Sequence, residues 1–65
     1  MAIDVAELKA IEALVVKIKA LTEDALTVAA SANDAGATRT LKALLIRVVD
    51  TEANIQGRIK SAGKS

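Results

Sequence analysis

Gly63, Lys64 and Ser65 are the residues with which a phosphate-cradling loop closes. Such a loop needs a glycine five residues before the second one, so that successive backbone N–H groups turn inward onto a phosphate. That position here is Arg58, and Gly57 lies one place too far away. No strand is expected before the tripeptide and no helix after it, so the cradle has no frame. Asn33 and Asp34 carry oxygens of the kind calcium takes, but an EF-hand loop needs several more oxygen ligands and a glutamate at its twelfth place. A turn and a helix cap are the expected roles of that pair.

Acid–base and nucleophilic chemistry fare no better. The chain has no His and no Cys. Ser61 with Lys64 is a pair common to solvated tails. Glu23 and Asp24 are adjacent, so on a helix their carboxylates point about 100° apart and do not converge on one substrate. The sequence is therefore read as that of a non-enzymatic protein without cofactor or metal.

Binding chemistry is next. Arg39, Lys42, Arg47, Arg58, Lys60 and Lys64 are all in the second half, where they give residues 33–65 a charge of +3 against −2 for residues 1–32, and +1 for the whole chain. Repeated by symmetry they would make a basic surface for phosphates. On a helix, however, Lys42 and Lys60 fall on one side and Arg47 and Arg58 on another, and with no aromatic residue there is no platform on which single-stranded bases could stack. Nucleic acid is thus not the expected partner, and a dimeric regulator working through a helical face stands as the alternative reading. Asp4 and Glu7 interrupt the region where a secretory leader would be basic and then apolar. The longest uncharged run, Ala25 to Asn33, has nine residues, far short of the roughly 20 that span a bilayer. The expected setting is the cytoplasm, or a particle assembled there.

The elements that position these residues are two helices. Asp4 is placed to cap the first, with Glu7 as its capping-box partner and Ile3 and Leu8 at staple positions. Helix one is expected over about 4–31, the turn over about 32–37, helix two over about 38–61, and a frayed tail over 62–65. Asn33 or Gly36 would take the left-handed conformation in the turn, and Asp34 or Thr38 would cap helix two. Gly57 weakens the second helix late. The fold class is all-α: an antiparallel two-helix hairpin assembling into an oligomeric helical bundle.

Apolar spacing of three and four residues puts Leu8, Ile11, Leu14, Val15, Ile18, Leu21, Ala25, Val28 and Ala29 on one side of helix one, with Lys9, Glu12, Lys19 and Glu23 opposite. Leu41, Leu44, Leu45, Val48, Ile55 and Ile59 form the stripe of helix two. Folding about Asp34 and Ala35 sets Leu41 near Val28, Val48 near Leu21 and Ile55 near Leu14. The same register brings Lys17 to Glu52 as a salt bridge at the edge of the core. Each helix carries a second strip: Ala13, Val16 and Ala20 on the first, Ile46, Val49 and Ala53 on the second. A chain of 65 residues struggles to bury enough apolar surface alone, and with 52% apolar residues and no disulfide its remaining aid is self-association. The expectation is a homo-oligomer, a structural building block that joins other proteins in a larger complex such as a virion or similar particle.

Overall fold

The computed structural model describes residues 4–63. Two helices, α1 (Val5–Ser31) and α2 (Ala35–Ala62), fold back on one another as a hairpin 49 × 17 × 15 Å in extent. Among the described residues there is no strand, and no helix is long and apolar enough to cross a membrane.

Local chemistry accounts for each end. Asp4 is extended (φ −70°, ψ 145°) and its carboxylate accepts a hydrogen bond from the Ala6 N–H at 3.3 Å, supplying a partner to one of the orphan donors of the first turn. Glu7 sits exposed in that turn, where its charge suits the positive end of the helix dipole. Ile3, the other half of the expected staple, lies outside the described residues.

The turn is tighter than expected, occupying three residues between the helices. Asn33 takes the left-handed conformation (φ 58°), which asparagine tolerates better than most side chains. Its N–H donates to the Ala30 carbonyl at 3.1 Å and that of Asp34 to Ala29 at 3.0 Å, a Schellman arrangement that occupies carbonyls α1 would leave open. Asp34 then caps α2 at once, its carboxylate accepting from the Ala37 N–H at 3.0 Å. Helix two therefore starts at Ala35 rather than near Thr38, because Asn33 ends the first helix and the next residue, Asp34, caps the second.

Burial repeats every seven residues. On α1 the buried side chains are Leu8, Val15, Thr22 and Ala29, with Val5, Glu12, Lys19 and Leu26 half-buried between them. On α2, Val48 and Ile55 are buried, and Thr38, Leu41, Leu45, Glu52 and Ile59 are half-buried. Val15 packs in one cluster with Val48 and Ile55, with Ile59 against it. This differs from the expected register, in which Val48 and Ile55 met Leu21 and Leu14. Burial on α1 is shifted round the helix from those residues, to Leu8, Val15, Thr22 and Ala29.

Two stability predictions follow from the backbone. A methyl group at Gly57 would meet nothing within 4 Å, so Gly57→Ala should raise stability by about 0.5–1 kcal/mol through the helix propensity gained. Asp34→Ala should lower it by about 1 kcal/mol by removing the cap. Thermal unfolding followed by far-UV circular dichroism at fixed chain concentration measures both.

Candidate self-association surface

The apolar stripe of α1 divides in two. Leu8 is 2% exposed and Val15 is buried, yet Leu14 is 58% exposed, Leu21 and Val28 are each 68% exposed, and Ile11 and Ile18 are exposed as well. Ile11, Leu14, Ile18, Leu21 and Val28 are therefore not core within the chain, contrary to the expectation. With Ala25 they make a second seven-residue repeat, 11, 18, 25 and 14, 21, 28, rotated roughly 100° from the seam that faces α2.

Leu44 on α2 is also exposed rather than core. It stands beside Ile18 across a groove of about 230 Å³ lined by Val15, Ile18, Leu44, Arg47, Val48 and Thr51. The second repeat of α1 and this groove thus share one broad side of the hairpin. Past Leu44 that side of α2 turns polar, with Arg47, Thr51 and Asn54.

The strips expected to mediate assembly are exposed. Ala13, Val16 and Ala20 on α1 and Ile46, Val49 and Ala53 on α2 are all open to solvent, Ile46 at 65%. Helical spacing puts them roughly 100° from the seam in the opposite sense, on the other broad side. Both sides of the hairpin therefore carry apolar residues, the α1 repeat being the longer.

The seam itself is polar where the sequence led one to expect hydrocarbon. Glu12 and Lys19, expected on the solvent side of α1, are half-buried against α2. Lys19 Nζ donates to Glu52 Oε1 at 3.3 Å, and these side chains are 35% and 15% exposed. Lys17, the expected partner of Glu52, is exposed instead. The seam uses positions 12, 19 and 26 together with 8, 15, 22 and 29, and a stripe read from apolar residues alone passes over the charged ones. Buried Thr22 keeps its hydroxyl satisfied by donating to the Ile18 carbonyl at 2.7 Å.

Arg39, Lys42 and Arg47 are divided between two places, and Lys64 lies outside the described residues. Arg39 and Lys42 border an open concavity of about 500 Å³ beside the turn, with Ala30, Asn33, Ala35 and Thr38. The nearby α2 N-terminus is already occupied by the Asp34 carboxylate, which opposes an added anion. Arg47 lies with Asp50, Thr51 and Asn54 elsewhere on α2, where an acidic neighbour offsets its charge.

The polar seam generates its own prediction. Lys19→Met leaves the Glu52 carboxylate without its partner in a mostly buried place and should lower stability by about 1 kcal/mol, whereas Glu52→Leu should raise it by a similar amount. Chemical denaturation of the two variants beside the parent chain distinguishes them; equal stability of all three would mean the pair is solvated and inert.

No family model, curated protein or solved structure matches this chain.

Proposed function

We propose that this protein is a non-enzymatic assembly element, a helical hairpin whose work is to associate with copies of itself within a larger complex. The observation that carries this reading is the exposed seven-residue apolar repeat of α1, running from Ile11 to Val28. Fully burying a Leu, Ile or Val side chain is worth roughly 1.5–3 kcal/mol, so several such residues along one face favour association strongly. Coiled-coil-like pairing suits that repeat, because side chains spaced alternately three and four residues apart present one continuous edge.

The second broad side, with Val16, Ile46 and Val49, supports a further step. A unit with apolar residues on both sides can touch two neighbours, and contacts of that kind extend into rings, tubes or lattices. A small subunit of a virion or comparable particle is the finer form of the proposal.

Native mass tests it, measured by size-exclusion chromatography with light scattering and refractive-index detection, since the chain has no Trp or Tyr. The parent chain should run well above the 6.7 kDa of one copy. Leu21→Lys should reduce the assembly while far-UV circular dichroism keeps its helical signature. Ile46→Lys should reduce a large assembly to a dimer. A parent chain at the mass of one copy across the micromolar to millimolar range would overturn the proposal.

A further inference from the structure

We infer that the exposed repeat of α1 seats the same repeat of a second copy, with the two α1 helices antiparallel and the two-fold axis crossing near Lys19 and Ala20. This rests on the self-association proposed above and adds the identity, direction and register of the contact.

The register follows from the pattern. Set antiparallel and fully overlapped, the two repeats bring Ile11 opposite Val28 of the other copy, Leu14 opposite Ala25, and Ile18 opposite Leu21, so all six positions meet apolar partners along about 25 Å of helix. Shifting by a heptad in either direction leaves one end of each repeat facing solvent. Small Ala25 lies opposite large Leu14, a pairing that lets the helices approach closely at both ends of the contact.

Knob and hole also correspond. The groove lined by Val15, Ile18, Leu44 and Val48 is open on the same side as the repeat. Leu21, at 68% one of the most exposed leucines, lies opposite Ile18 in this register and so comes to the mouth of that groove in the second copy. The fit is reciprocal, as an isologous two-fold contact requires.

Charge selects the direction. The edge of the repeat away from α2 carries Lys17 and Asp24, both exposed. In the antiparallel arrangement, Lys17 of each copy falls within about one helical turn of Asp24 of the other, giving two symmetric ion pairs at the rim. In a parallel, in-register pair, Lys17 would lie level with Lys17 and Asp24 with Asp24. The rim is thus complementary to itself only when the helices run in opposite senses.

Two cysteine variants test direction, because the chain has no cysteine of its own. Ile11→Cys and Val28→Cys chains of distinguishable mass are mixed, equilibrated and mildly oxidised, then weighed under denaturing, non-reducing conditions. The expected product is the mixed disulfide dimer, several-fold over either homodimer. Predominant homodimers would show parallel helices and overturn the inference while leaving self-association standing. A parent chain that stays at the mass of one copy would overturn both. Charge exchange gives an independent reading that keeps the apolar face intact: Lys17→Glu should weaken dimerisation about tenfold, and adding Asp24→Lys should restore it. Dimerisation unmoved by Lys17→Glu would remove the proposed rim pairing.

Discussion

A two-helix hairpin has a single internal seam, and the rest of this structure depends on how little one seam covers. Each helix turns only a narrow band of its circumference to its partner, so side chains outside that band stay in water whatever their polarity. Here the seam buries Leu8, Val15, Ala29, Val48 and Ile55, and leaves six large apolar residues of α1 exposed. The hydrophobic effect scales with apolar area removed from water. The second layer we propose would take this face out of water.

The seam mixes polar with apolar side chains. The seam includes Glu12, Lys19 and Thr22 of α1 and Glu52 of α2, whereas the neighbouring repeat of α1 is hydrocarbon throughout. A polar seam adds little stability but is costly to misalign. Sliding α2 by a heptad would part Lys19 from Glu52, setting Lys19 against Leu45 or Ile59 and Glu52 against Glu12 or Leu26. The turn acts in the same sense, since Asn33 and Asp34 end one helix and begin the next with no slack between them. Register inside the hairpin thus comes from the turn and the ion pair, and the longest apolar repeat of α1 is left exposed.

Much of the architecture was legible in the residues. Asp4 ahead of an uninterrupted apolar periodicity marked the start of α1, and the cluster from Ser31 to Thr38 marked the turn. The start of α2 was less legible. Asp34 and Thr38 were both plausible caps, and the choice depended on Asn33 taking the left-handed conformation. The Lys19–Glu52 pair was not legible. Apolar spacing placed Lys19 outside the stripe, and finding the pair would have required testing each seven-residue repeat separately, charged positions included.

By itself the sequence determined that the chain makes two helices and one turn, because capping, periodicity and turn chemistry act over a few residues. It also determined that both helices carry more apolar residues than one partner can cover. Only the tertiary structure decided which apolar residues are core and which are surface. Positions 8, 15 and 29 and positions 11, 14, 18, 21, 25 and 28 obey the same three- and four-residue spacing, so the sequence presents them as one wide stripe. The turn sets the side from which α2 approaches α1, and that azimuth makes the first set a seam and the second an exposed face.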